Sequence, residues 1–315
     1  MKPARLLLLT SGAMVAFAGN SLLCRAALRQ TTIDPASFTF IRLLSGAVAL
    51  SLLLVLRRKL TKDRLDLLTD NRPLRSSPTT GHSSLVALGT WTSAAALFVY
   101  AAAFSFAYVS LPAATGALLL FGAVQATMIL WGLRSGESLR GIQIPGLLLA
   151  LGGLVALLLP GLSAPPLHGA TLMLFAGIAW GIYSQRGKGA ADPAGITAGN
   201  FIRAVPLALI LSTIYFPWTH LDRAGVTYAI LSGACSSGLG YVIWYAALPS
   251  LKAISAATVQ LSVPVLAAGG GILLLGEAIT LRFVLASIAI LGGIALVIWE
   301  TAERSGEPGA LTVKR

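Results

Sequence analysis

Residues Leu251 to Glu300 read LKAISAATVQLSVPVLAAGGGILLLGEAITLRFVLASIAILGGIALVIWE, and an earlier stretch repeats their plan. Moved back by 140 positions, Leu111 to Pro160 reads LPAATGALLLFGAVQATMILWGLRSGESLRGIQIPGLLLALGGLVALLLP. Gly276-Glu277 falls on Gly136-Glu137, Gly292-Gly293 on Gly152-Gly153, Leu251 on Leu111 and Ala253 on Ala113. Each copy is an apolar run, a Gly-Glu break, a short polar turn and a second apolar run with a Gly pair. A duplicated unit of this apolarity belongs in a bilayer, where only helices and closed barrels satisfy their own backbones. The runs are continuous rather than alternating, which excludes a transmembrane barrel.

The rest of the chain agrees. Of its 315 residues 56% are hydrophobic and 11% charged, and its mean hydropathy is +0.81; soluble domains hold about 45–50% apolar and about 25% charged residues. Ten apolar runs follow one another: Leu6–Cys24, Ala36–Leu56, Ser84–Phe106, Leu111–Leu133, Gly141–Leu159, His168–Gln185, Thr197–Phe216, Gly225–Ala247, Ile254–Gly276 and Ile279–Trp299. Most are near the ~20 residues that carry a helix across roughly 30 Å of hydrocarbon. A net charge of +12 would suggest nucleic acid in a soluble chain. Here the basic residues lie between the runs, so they read as topology signals and lipid-headgroup contacts, and no nucleic-acid partner is expected. Cys24 and Cys235 sit inside apolar runs and read as buried free thiols. The first run lacks a cleavage pattern and reads as a retained helix.

Most connections are short, so neighbouring helices run antiparallel. The exception, Arg57 to Ser83, holds seven Lys and Arg residues; its Leu60, Leu65 and Leu68 fit one side of a short interfacial helix as well as a solvated loop. With the N-terminus inside, 17 of the 23 Lys and Arg residues lie inside and 4 outside, and Arg42 and Arg203 lie within helices. That bias predicts both termini in the cytoplasm and a multi-pass protein of the cell (inner) membrane.

The repeat also extends upstream. Asp34-Pro35-Ala36 is echoed by Asp192-Pro193-Ala194, Phe40-Ile41-Arg42 by Phe201-Ile202-Arg203, and Ala16-Phe17 by Ala179-Trp180. The chain therefore divides into a first repeat at 1–160, with the basic loop 57–83, a second at 161–300 and a cytoplasmic tail at 301–315. Five helices per half is odd, so the halves insert oppositely. The expected fold class is an all-α membrane protein of ten transmembrane helices in two inverted five-helix repeats, an architecture common among secondary transporters. Both halves are in one chain, so a monomer is expected.

These residues resemble the EamA family of the drug/metabolite transporter superfamily. That family pairs a Trp-Gly-like element in the first helix of each repeat, an Arg early in the second and a Gly-Glu closing the fourth. Here these are Phe17-Ala18-Gly19-Asn20 and Trp180-Gly181, Arg42 and Arg203, and Gly136-Glu137 and Gly276-Glu277. The family's fourth-helix Pro stands as Pro264, whereas the first repeat has Gly122-Ala123-Val124. The resemblance covers Leu6 to Glu300. It implies metabolite export, with aromatic amino-acid exporters of the YddG type as one neighbourhood, and a central cavity lined by helices one, three and four of each half.

Within those helices, Phe17, Asn20, Ser21, Phe98, Tyr100, Phe121 and Gln125 of the first half are candidate substrate contacts. Trp180, Tyr183, Tyr241, Trp244, Tyr245 and Gln260 are candidates in the second. Phe17 and Trp180 at matching places suggest an apolar, π-faced pocket. Asn20, Gln125 and Gln260 each read equally as helix–helix contacts. Arg42 and Arg203 lie about 9 Å inside their helices. They snorkel to headgroups, bond to nearby helix-terminal carbonyls, or meet acids on the same side in the opposite half, Arg42 with Glu277 and Arg203 with Glu137, as gate fasteners alongside Pro264.

Missing chemistry narrows the function. No Asp or Glu lies mid-run, and no metal spacing, nucleophile triad, phosphate loop or dinucleotide fingerprint occurs. An enzyme, a cofactor, a metal and a carboxylate proton site are therefore not expected. The leading reading is a secondary transporter exporting amino acids or related small metabolites, aromatic and hydrophobic ones favoured. Efflux of cationic drugs, or exchange of nucleotide-sugar-like metabolites, is the alternative.

Overall fold

In a computed structural model describing residues 3–68, 89–134, 141–159, 164–187, 192–247, 250 and 259–306, the regular structure is entirely helical. Seven helices are long and apolar enough to cross a bilayer. They are α1 (Pro3–Gln30), α2 (Pro35–Leu68), α3 (Trp91–Tyr108), α4 (Ala113–Arg134), α6 (Leu167–Gly187), α7 (Pro193–Ile214) and α8 (Arg223–Ala247). Between and after them, α5 (Gln143–Leu158), α9 (Ser262–Leu275) and α10 (Leu281–Gly306) carry shorter apolar stretches over the residues described.

Two boundaries differ from the sequence reading. α1 continues past Cys24 to Gln30, because Arg25-Ala26-Ala27-Leu28-Arg29-Gln30 is built of strong helix formers. Arg25 and Arg29 therefore belong to a helix end rather than a loop. α2 runs on through the basic residues to Leu68, so the region after Leu56 is neither a separate interfacial helix nor a loop at its start. The Asp-Pro-Ala echo has a local cause. Asp34 Oδ1 accepts the Ala36 and Ser37 N–H groups and caps α2, and Asp192 caps α7 through Gly195. The proline in each case fills a first-turn position that needs no donor.

The apolar surface is turned outward. Leu8, Leu52, Phe175, Ile210, Leu273 and Leu274 are all exposed, as expected of helices facing lipid rather than water. Inside, α3 packs on α6, α4 on α6, α3 on α7, α1 on α8 and α9, and α2 on α8. Further contacts join α2 to α7, α4 to α9 and α5 to α10. Renumbering helices one to five as six to ten maps α3–α6 onto α8–α1, α4–α6 onto α9–α1 and α3–α7 onto α8–α2. It leaves the last three pairs on themselves.

Glycines set the close approaches. Gly153 meets Ala289 across the α5–α10 contact, and Gly293 meets the Gly146 carbonyl. One member of each Gly pair thus serves helix packing, while Gly152 and Gly292 face open space. Pro264 falls in the first turn of α9, just after a turn at Leu261 that separates it from Val259-Gln260. Its ring leaves the residue 260 carbonyl without an i+4 donor, which accounts for the break.

Candidate functional site

Arg42 is seven residues into α2, about 10 Å from its start at 1.5 Å per residue, and is only 1% exposed. Its Nη2 donates to Tyr100 Oη at 3.0 Å and its Nε to Ser237 Oγ at 3.3 Å. The guanidinium carbon lies 4.9 Å from the Phe104 ring centroid and 5.2 Å from that of Tyr100. Both expectations for Arg42 are corrected. It does not snorkel, because α3 and α8 enclose it, and it does not pair with Glu277, which is engaged elsewhere.

The enclosure comes from α8. Residues Ser232–Leu239, SGACSSGL, form a π-helical segment within it, a wider turn that often marks functional sites. A Cβ at Gly233 would overlap the Arg42 carbonyl, so only glycine lets the two backbones approach this closely. The same segment supplies three serines: Ser237 to Arg42, Ser232 to Asn20 Oδ1 at 2.7 Å, and Ser236 to the cavity wall. Asn20 Nδ2 donates onward to Tyr100 Oη at 3.1 Å. One polar chain thus runs Ser232–Asn20–Tyr100–Arg42–Ser237 through α8, α1, α3 and α2. The Asn20 amide bridges helices.

Against this chain stands an aromatic box. Phe17 meets Trp180, Tyr241 and Trp244 edge-on at centroid distances of 6.3, 6.0 and 6.0 Å. Trp180 lies 4.9 Å from both Tyr100 and Tyr241. The cavity between them, also lined by Asn20, Ser21, Phe104, Leu120 and Phe121, is about 20 Å³, room for about one water. The centre is closed.

The structure thus gathers Phe17, Asn20, Tyr100, Phe121 and Trp180 at one cavity, with Trp244 behind Phe17. Tyr183 and Tyr245 instead line a small pocket with Arg186, Ser93 and Asn200. Phe98 packs half-buried on the core, and Gln125 and Gln260 are buried away from the cavity wall. Phe104, Ser236 and Ser237 were not singled out. Their signal was present in the small-residue run 232–238, which looks like ordinary helix packing until its partner is known.

A second cluster closes the bundle where α1 ends. Arg25 Nε meets Glu277 Oε1 at 3.0 Å, with Arg29 Nη1 at 3.7 Å. Arg25 Nη1 also donates to the Tyr108 and Val109 carbonyls at the end of α3. Glu277 Oε2 accepts the Ala113 N–H at the start of α4 at 2.7 Å, where a helix N-terminus favours negative charge. Gly276 explains the Gly-Glu motif. Its φ of 61° is a turn glycine adopts freely, and it folds Glu277 back under α9, where its N–H bonds the Gly271 carbonyl. Beside Glu277 lies a cavity of about 230 Å³ bordered by Ser110, Pro112, Thr115, Thr280 and Phe283.

At the opposite end Arg186 donates to Ser93 Oγ and Thr92 Oγ1, tying α6 to the start of α3. Asn200 Oδ1 accepts the Thr90 N–H. Arg203 is half-buried, and its Nη1 donates to the Gly199 carbonyl one turn back. Its expected partner Glu137 lies outside the described residues. Both cysteines are free, but Cys235 is exposed on the bundle surface rather than buried. Among the described residues no group of three or more His, Cys, Asp or Glu side chains could hold a metal.

The EamA-like transporter family model matches residues 167–299. The uncharacterized protein PA1977 of Pseudomonas aeruginosa is 55% identical over 310 residues, covering 98% of this chain and all of its own length. The uncharacterized transporter YoaV of Bacillus subtilis is 26% identical over 166 residues, 50% of this chain and 57% of its own. An uncharacterized transporter of Archaeoglobus fulgidus is 27% identical over 170 residues, 51% of this chain and 59% of its own. The chain belongs to the EamA-like transporter family. A crystal structure at 18% identity superposes with a TM-score of 0.61 over 95% of this chain and 99% of that one, so the two share a fold. The protein is thus a multi-pass membrane transporter of the drug/metabolite kind with a small-molecule substrate, and its family are transporters rather than enzymes.

Proposed function

We propose that this EamA-like transporter exports amino acids or related small metabolites, aromatic and hydrophobic ones foremost, by alternating access between two inverted five-helix halves. The observation that carries the reading is the composition of the central box. Phe17, Tyr100 and Phe121 come from residues 1–160, and Trp180 and Tyr241 from 161–300, so any motion of one half against the other opens or closes it. Edge-to-face rings suit an apolar or aromatic side chain. The exchange of helix contacts between halves supports ten spans related by an axis in the membrane plane.

With both termini cytoplasmic, as the 17 to 4 split of Lys and Arg favours, Arg25–Glu277 lies at the outer face and Arg186–Ser93 at the inner. Each joins one half to the other: α1 to the α9–α10 turn outside, and α6 to α3 inside. Releasing one contact while the other holds gives access from a single side. The outer fastener is an ion pair, the inner one a set of charge-assisted hydrogen bonds to neutral hydroxyls. The acids with described side chains lie at helix ends, which supports gradient-driven export without a mid-depth carboxylate, by a monomer.

A fully buried guanidinium in the centre repels cations, which disfavours cationic drug efflux. The test is counterflow in liposomes with a panel of radiolabelled amino acids. Phenylalanine, tyrosine or leucine is expected to exchange, and exchange of lipophilic cations with no amino acid moving would overturn the reading.

A further inference from the structure

We infer that Arg42 is the anion-binding group of the central site, so that the transported molecule carries a carboxylate beside its apolar part. This rests on the reading of the central cavity as the substrate site.

One donor of the Arg42 guanidinium is unmatched. Arg42 is enclosed by α3 and α8, yet its Nη1 has no hydrogen-bond partner among the described residues. The Ser21 and Tyr241 hydroxyls line the central cavity, beside those of Tyr108 and Tyr100. Arg42 stands directly behind that cavity, against two of its wall residues, Tyr100 and Phe104. Buried donors left unmade are costly, and a charged one most of all. Two aromatic faces offset part of the cost of the guanidinium but offer Nη1 no acceptor.

Counter-charge is also lacking. Of the acids whose side chains are described, Asp34, Asp192 and Asp222 cap helices and Glu277 holds Arg25 and Ala113 N–H. Ion pairs among the described residues involve Arg25 and Arg29, not Arg42. A carboxylate is the ligand group that answers every one of these features. It brings one negative charge and several lone pairs, matches a guanidinium's planar donors, and leaves capacity for the Ser21 and Tyr241 hydroxyls. The aromatic box then takes the rest of the molecule. The closed cavity of about 20 Å³ means that the ligand enters only when the halves part.

The test is ligand quenching of tryptophan fluorescence, reporting from Trp180 and Trp244, in the purified full-length protein. Three probes share one ring: phenylalanine, 3-phenylpropionate and phenethylamine. The two carboxylates are expected to bind roughly ten- to a hundredfold more tightly than the amine, the span of a charge-assisted hydrogen bond. Arg42→Gln is expected to abolish that preference while residual ring binding persists, and Arg42→Lys to restore part of it. Should Arg42→Gln not fold, Tyr241→Phe and Ser21→Ala keep the question open to measurement, each expected to narrow the preference severalfold. Saturable binding of pyruvate or succinate but of no aromatic compound would uphold Arg42 and overturn the amino-acid reading. An amine binding as tightly as its carboxylate counterpart, a preference surviving Arg42→Gln, or no carboxylate binding at all would overturn Arg42.

Discussion

Phe40-Ile41-Arg42 and Phe201-Ile202-Arg203 hold matching places in α2 and α7, yet their arginines end in opposite surroundings. Arg42 is sealed under Tyr100 and Phe104 with a serine of α8 on its Nε. Arg203 is half-buried and reaches the Gly199 carbonyl of its own helix. The difference lies in the opposing helix. α2 faces the π-helical SGACSSGL segment, whose Gly233 lets the two backbones close up, whereas α7 faces α3, a regular α-helix. A repeated motif therefore fixes where an arginine stands along its helix, and the neighbour fixes what it does.

That contrast can be broken by substitution. The largest effect is expected from Arg42→Met, which should lower transport in liposomes to roughly a hundredth or less, in line with losing a charged hydrogen bond to substrate. Its melting temperature in detergent should not fall in proportion, because a well-packed apolar group in place of a buried charge is often neutral or stabilising. A transport-competent Arg42→Met would erase the distinction between the two arginines.

Next in size is Glu277→Gln, expected to slow transport about tenfold through loss of a buried pair and to speed maleimide labelling of a cysteine introduced at Thr115, in a background with Cys24→Ser and Cys235→Ser. Exchanging the charges, Arg25→Glu with Glu277→Arg, should restore only part of the activity. The Ala113 N–H would still lose its acceptor. Unchanged labelling would show that this contact does not fasten a gate.

Gly233→Ala sharpens the comparison from the side of α8. The added methyl meets the Arg42 carbonyl and Ser45 Oγ, and overpacking of this kind is expected to cost about 2–3 kcal/mol in thermal unfolding and to reduce transport severalfold. The smallest effect belongs to Arg203→Gln, with transport expected within about twofold of the parent, because glutamine keeps a donor on a side chain that is only half-buried. If Arg203→Gln proved as damaging as Arg42→Met, the repeat would be functionally symmetric and the contrast would dissolve.

Much of this was readable beforehand. The apolar runs, the echoing Asp-Pro-Ala caps, the Gly276-Glu277 break and the Phe17/Trp180 correspondence are local patterns, and bilayer physics leaves them few alternatives. Pairing was another matter. Glu277 was expected to meet Arg42 and meets Arg25 instead, because α1 extends to Gln30 and carries Arg25 to the level of Gly276. Tyr183 and Tyr245 were grouped with Trp180 and Tyr241 by type and spacing, yet helix rotation places them at another pocket.

Sequence alone determined that this chain is a helical membrane protein, because hydropathy, length and cap chemistry act over one or two turns, and its motifs carried the resemblance to the EamA family. Only the tertiary structure decided which arginine stands among rings and which meets an acid. Those outcomes depend on how closely two helices approach and which faces they turn, quantities set by glycines and a π-helical turn on a partner nearly two hundred residues away in the chain.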